Sequence, residues 1–188
     1  MKVICFGDSN TYGYDPRSYM GGRYDSSNRW VDILWSETGW TVSNQGENGR
    51  EIPCSSKPFP EETDLLIIML GTNDLLQGHS AESVAGKMER FLLSISLSPD
   101  KILLVAPPPL SPGEWVKSQG LLDASRALSE HYSIISHRLG ILYADSGKWN
   151  IDLAYDGVHF TGQGHRAFAA GLLGQLHLMG IWPYDTAR

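Results

Sequence analysis

The chain has 188 residues, 41% hydrophobic and 19% charged, an ordinary globular balance with enough length for one domain and a full core. Its net charge of -6 at pH 7 supplies no basic field for nucleic acid or anionic lipid, and Lys and Arg occur without runs. The longest apolar runs, such as LLIIML at 65–70, are too short to span a bilayer. The start MKVICF lacks a basic n-region and a small-residue cleavage site, so a cytoplasmic protein is expected.

In chain order, KVICF at 2–6 is the first expected strand, and it enters Gly7-Asp8-Ser9-Asn10 at once. Residues 10–28 carry Tyr12, Tyr14, Tyr19 and Tyr24 and are long for a plain connection. A short helix from Trp30 to Thr38 ends at Gly39, and a strand at 40–43 leads into Asn44-Gln45-Gly46-Glu47-Asn48-Gly49-Arg50. The third strand, 64–70, ends in Gly71-Thr72-Asn73-Asp74. Val84, Met88, Phe91, Leu92 and Ile95 then form one stripe of a helix over about 80–97. A strand at 101–106 runs into the proline-stiffened APPPLSPGE at 106–114, and Leu121 to Leu139 reads as a helix. The last strand, 141–144, is followed by Asp156-Gly157-Val158-His159 and a helix marked by Phe168, Leu172, Leu176 and Met179, with Thr161 as its cap.

Most of these strands are continuous apolar runs, as in a parallel sheet covered on both faces. Their alternation with helices predicts an α/β fold, a doubly wound five-stranded parallel sheet between helical layers, as a single domain over 1–188. Ligands of such sheets sit outside the carboxyl ends of the strands. The four polar, glycine-bearing segments therefore share one rim. The loop at 10–28 and the proline segment are candidate walls of a cleft there.

Those segments divide the work of acyl transfer. Ser9 can act as a nucleophile if a base takes its proton; His159 is the candidate base, and Asp156, three residues earlier, can hold its ring. The N–H groups of Ser9 and Gly49 and the side-chain amide of Asn73 can meet a developing oxyanion. Each residue also has a bland reading. Ser9 could cap a helix, Gly49 could serve a turn of positive φ, and Asp156 with His159 could be an Asx-turn pair. Asp8 reads as a turn residue and Asp74 as a brace for its loop.

The remaining signals are weak. His131 and His137, six apart in one helix, face different ways, His79 reads as loop-exposed and His165 as a packing or capping residue, so no metal site is expected. GQGHRA at 162–167 mimics a dinucleotide fingerprint but follows no strand, and neither a P-loop nor GxSxG occurs; no cofactor is expected. Cys5 and Cys54 read as buried or half-buried thiols in a reducing compartment, with a disulfide between them left open.

GDS near the amino terminus, the NxGxxG block, GTND after a strand and DGVH near the carboxyl terminus resemble the four blocks of the SGNH (GDSL-type) hydrolases, in order and over nearly the whole chain. CFGDS, IIMLGTND, VAPPPL and DGVHFT are most similar to the arylesterase and acyltransferase branch. The resemblance implies a flavodoxin-like three-layer α/β/α fold. It implies Ser9, Asp156 and His159 as catalytic residues, and Ser9, Gly49 and Asn73 as the oxyanion hole. It also implies hydrolysis of small acyl esters of aryl, alkyl or carbohydrate alcohols, with a small-molecule substrate, no nucleic acid or membrane partner, and a homo-oligomer left open. Asn10 stands at the Leu of the GDSL name, a position without a catalytic role, and Arg50 stands where many relatives carry an acid. Tyr12, Tyr14 and Trp115 are the candidate substrate-binding residues, with Tyr19, Tyr24 and Trp30 as further aromatic candidates, Trp30 reading better as core. The alternatives are acyl transfer to alcohols on the same residues and a non-catalytic carbohydrate-binding module.

Overall fold

The computed structural model describes residues 1–18, 20–55 and 58–182. Five parallel strands, β1 (Lys2–Gly7), β2 (Thr41–Gly46), β3 (Leu65–Met69), β4 (Ile102–Ala106) and β5 (Leu142–Asp145), lie in the order β2-β1-β3-β4-β5. The helices are α1 (Ser9–Tyr12), α2 (Trp30–Thr38), α3 (Thr72–Leu76), α4 (Ala81–Leu93), α5 (Gln119–Leu139) and α6 (Gly162–Leu178).

Alternation along each strand sends neighbouring side chains to opposite faces. Val3, Cys5, Ile67, Met69, Leu103 and Val105 meet Trp30 and Leu34 of α2 and Phe168 and Leu172 of α6. Ile4, Leu66, Ile68 and Leu104 meet Val84 and Met88 of α4 and Leu128 and Tyr132 of α5. Every residue of β3 and β4 is buried, which explains their unbroken apolar sequence. This is the expected three-layer α/β/α arrangement with flavodoxin-like strand order.

Register brings the polar segments together. Gly7 pairs with Gly46 on one side and with Met69 on the other, so β1, β2 and β3 end level with one another. The chain moves from β1 outward to β2 and then back across to β3, which makes the gap between β1 and β3 a topological switch point. Ser9 begins the helix that follows β1, and Asn73 is the second residue of the helix that follows β3.

Strand boundaries fall within a residue of expectation except at β2. It continues through Gly46, so the first part of the Asn44–Arg50 block is strand rather than loop. Asn44 explains the extension: its amide donates to the Thr11 carbonyl at 2.9 Å while its Oδ1 accepts from Gly46 N–H at 2.9 Å, fastening the strand end to α1. Gly46 is obligatory in this contact, because a Cβ there would lie 2.0 Å from the Tyr12 backbone nitrogen. The helix expected over about 80–97 stops at Leu93, and Ile95 remains buried in the bend that follows. Thr161 caps α6 by accepting from Gly164 N–H at 2.9 Å, as expected.

Candidate active site

Asp8, not Ser9, caps α1: its carboxylate accepts from the Asn10 N–H at 2.9 Å. The capping explanation for Ser9 therefore lapses. Ser9 is the first helical residue, so its N–H is among the donors that no earlier turn can satisfy. Its Oγ lies 3.1 Å from Nε2 of His159.

The DGVH segment holds the other end of this line. Asp156 Oδ1 accepts from the N–H groups of Val158 and His159, each at 2.9 Å, and Oδ2 lies 2.6 Å from His159 Nδ1. The Asx turn and the orienting acid, alternatives at the level of sequence, are one structure using the two oxygens separately. A carboxylate only accepts, so Nδ1 carries the proton and Nε2 presents its lone pair to the Ser9 hydroxyl. Burial pushes the Asp156 carboxyl up, but the bonds it receives from the His159 ring and from both backbone N–H groups outweigh this and hold it below the ordinary carboxylate value. Ser9, Asp156 and His159 are all buried.

Gly49 has φ of 75° in the turn closed by the Arg50 N–H to Glu47 carbonyl bond of 3.2 Å. Asn73 donates from Nδ2 to the Arg50 carbonyl at 3.0 Å, and an amide NH2 has a second hydrogen to offer. Asp74, beside it, is fully buried; it accepts from Ile52 N–H at 3.0 Å and pairs with Lys87 at 2.9 Å. The loop-bracing expectation for Asp74 is met, and the brace ties the segment after Gly49 to α3.

Aromatic residues flank His159. The Tyr14 ring lies 4.7 Å from the His159 ring, and Trp115 meets it edge-on at 5.1 Å while leaving 53% of its surface exposed. Trp115 is held there because the proline segment and Trp115 pair with the loop of Asp156: the Trp115 N–H donates to the Asp156 carbonyl at 3.1 Å, and the Ser111 N–H donates to the Gly157 carbonyl at 3.1 Å. Tyr14, Pro16, Arg17, Ser18 and Tyr155 line a cleft of about 500 Å³ beside these rings. The other aromatic candidates make different contacts. The Tyr12 ring is covered by the Arg23 guanidinium at 4.5 Å, Tyr24 is buried against His165, and Trp30 is core. Tyr19 lies outside the described residues.

Two residues escaped the sequence reading. Tyr155 lines the cleft and donates its hydroxyl to the Pro16 carbonyl at 2.9 Å; its only signal was adjacency to Asp156. Asn10 is buried and grips the chain on both sides of His159, donating to the Val158 carbonyl at 3.1 Å and accepting from Phe160 N–H at 2.9 Å. The amide makes two complementary bonds where leucine could make none.

Other titratable groups are spectators. Burial, aided by the charge of Arg29, pushes His165 down to about 3, so it packs as a neutral ring between Tyr24 and Phe160. Burial holds the Cys5 thiol far above its ordinary value, which excludes it as a nucleophile. Cys5 and Cys54 are both free, and Cys54 is exposed rather than half-buried. Among the described residues no three His, Cys, Asp or Glu side chains gather to hold a metal ion, and no helix is long and apolar enough to cross a membrane.

The GDSL-like lipase/acylhydrolase family model matches residues 5–167, and the chain belongs to that family. By class it is a carboxylic ester hydrolase. No curated protein matches it in sequence. Among solved structures it is similar to a carbohydrate acetylesterase family member from Sinorhizobium meliloti, with 25% identity over 95% of this chain and 98% of that one, TM-score 0.79. It is similar to a protein assigned as an arylesterase from Agrobacterium tumefaciens, with 28% identity over 96% and 99% of the two chains, TM-score 0.77. The native aryl esterase of M. smegmatis shares its fold at 23% identity, over 96% and 99% of the two chains, TM-score 0.79.

Proposed function

We propose that this protein is a serine esterase that hydrolyses small acyl esters, acetates foremost, through an acyl-enzyme. The observation that carries this reading is the buried line from Asp156 Oδ2 through the His159 ring to Ser9 Oγ, at 2.6 and 3.1 Å. His159 Nε2 takes the hydroxyl proton as Ser9 Oγ bonds to the ester carbonyl carbon, and Asp156 stabilises the imidazolium that forms. The carbonyl oxygen becomes an oxyanion facing the Ser9 N–H, the Gly49 N–H and the free hydrogen of the Asn73 amide. Collapse breaks the bond to the alcohol oxygen, which leaves with the proton from His159. Water then gives His159 a proton, attacks the acyl carbon and restores the Ser9 hydroxyl as the carboxylic acid departs.

Tyr14, Trp115 and Tyr155 form the wall met by the leaving alcohol. Aromatic faces pack against aryl rings and sugar rings alike, and the cleft is lined by polar and aromatic groups rather than by an acyl-chain tunnel. The description of the Sinorhizobium meliloti neighbour as a carbohydrate acetylesterase family member supports an acetylated sugar as one substrate. The two free cysteines, one of them exposed, support a reducing, cytoplasmic setting.

Hydrolysis of p-nitrophenyl acetate, butyrate and octanoate by the native protein and by Ser9→Ala tests the proposal. Acetate turnover that falls with chain length and disappears in Ser9→Ala is expected. Equal slow rates in both proteins would refute it and favour a sugar-binding module without catalysis.

A further inference from the structure

The oxyanion donors of the proposed site come from three different loops, after β1, β2 and β3, and their spacing must be held by something that touches all three. We infer that Arg50 is this brace, a positioning residue that sets the geometry of the oxyanion hole without touching the substrate; the inference rests on the esterase reading above. Nη1 of Arg50 donates to the Gly7 carbonyl at 2.9 Å and also to the Gln45 carbonyl, joining the end of β1 to the end of β2. Nη2 pairs with Glu47 at 2.5 Å, so the same guanidinium holds the turn that carries Gly49. The backbone carbonyl of Arg50 receives the Asn73 amide at 3.0 Å and so fixes the donor that follows β3. One residue thus contacts the nucleophile strand, the Gly49 turn and Asn73.

The setting suits a rigid fork rather than a mobile charge. The guanidinium lies 4.3 Å over the Phe6 ring, and only 17% of the side chain is exposed. Its hydrogen bonds end on two backbone carbonyls within the protein and on the exposed Glu47 carboxylate of the same turn, so its planar donor set is directed at the frame of the site. Lysine, with a single ammonium on a flexible stem, reproduces the charge but not this fork. A cavity of about 440 Å³, lined by Phe6, Gln45, Glu47, Arg50, Phe59 and Phe91 among others, opens beside it and gives a small cation a way in.

The test measures kcat and KM for p-nitrophenyl acetate in Arg50→Ala and Arg50→Lys, with and without millimolar guanidinium chloride, far below the molar concentrations that unfold proteins. Loss of the brace misplaces donors that act in the transition state, so kcat of Arg50→Ala falls about 10²-fold while KM changes by less than about threefold. Guanidinium restores at least about tenfold of the lost kcat, and methylammonium does not. Arg50→Lys stays as slow as Arg50→Ala, which keeps the test alive if the alanine variant fails to fold. Wild-type kcat in either variant, or a folded Arg50→Ala whose loss guanidinium leaves unchanged, would overturn the inference. Failure of the esterase reading itself is distinct, since the native protein and Ser9→Ala would then turn over alike.

Discussion

Asp8, Ser9 and Asn10 are three adjacent buried polar side chains, each directed to a different partner: the start of α1, the His159 ring, and the chain on either side of that ring. Asp8 is the strained member. Burial raises its pKa from 3.8 to about 6, against the lowering effects of the Asn10 N–H and the nearby charge of Arg50. Between those two values the native state binds a proton that the unfolded chain does not, so stability falls as pH rises through the window and the loss is complete above it. The shift amounts to about 3 kcal/mol, comparable to the gain from fully burying one large apolar side chain. Asp8→Asn keeps an oxygen for the cap and removes the charge. It should be more stable than the native protein at pH 8 by up to about 3 kcal/mol, with the difference vanishing near pH 4. Urea unfolding at a series of pH values measures this, and a difference independent of pH would contradict it.

α1, with four residues, cannot sustain itself as a helix, and tertiary contacts must hold it. β2 supplies one set through Asn44 and the bare surface of Gly46. The loop after β5 supplies the other through Asn10, which couples the element bearing Ser9 to the one bearing His159. Replacement by leucine would leave the Val158 carbonyl and Phe160 N–H unpaired in a buried place, at about 1–3 kcal/mol each. It would also loosen the separation of Ser9 and His159, and misplacement of reacting groups by an ångström is worth up to about 10² in rate. Asn10→Leu should therefore lower kcat for p-nitrophenyl acetate about 10- to 100-fold with little change in KM. Native kcat in a folded Asn10→Leu would show that the clamp is irrelevant to catalysis. The sequence could not reveal this role. Side-chain hydrogen bonds between residues 10 and 158–160 leave no periodic mark, and the family pattern tolerates Leu at that position.

Across the molecule, features written in local pattern were legible and those made by long-range contact were not. The buried strands β3 and β4 and the amphipathic helices α4 and α5 announce themselves by apolar runs and stripes. The rule that ligands gather at the carboxyl ends of parallel strands then placed all four polar blocks on one rim before any side chain was located. Ser9, Asp156 and His159 meet as that rule requires, 147 and 150 residues apart from the nucleophile in sequence yet within one hydrogen-bonded line. Illegible were the run of β2 through Gly46, the burial of Tyr24 against His165, the Arg23 cover over Tyr12 and the placing of Tyr155 in the cleft. The first depends on the Asn44 contact with α1 and the other three on how the segment after α1 folds back, all matters of tertiary packing rather than propensity.

The most direct measurement is covalent labelling with diethyl p-nitrophenyl phosphate, read by intact mass and peptide mapping, on the native protein and His159→Ala. A single diethylphosphoryl adduct on Ser9 is expected, with release of p-nitrophenol in equal amount, parallel loss of esterase activity, and labelling of His159→Ala slowed by orders of magnitude. Esterase activity that survives full labelling of Ser9, or an adduct on another residue that abolishes it, would contradict Ser9 as the nucleophile.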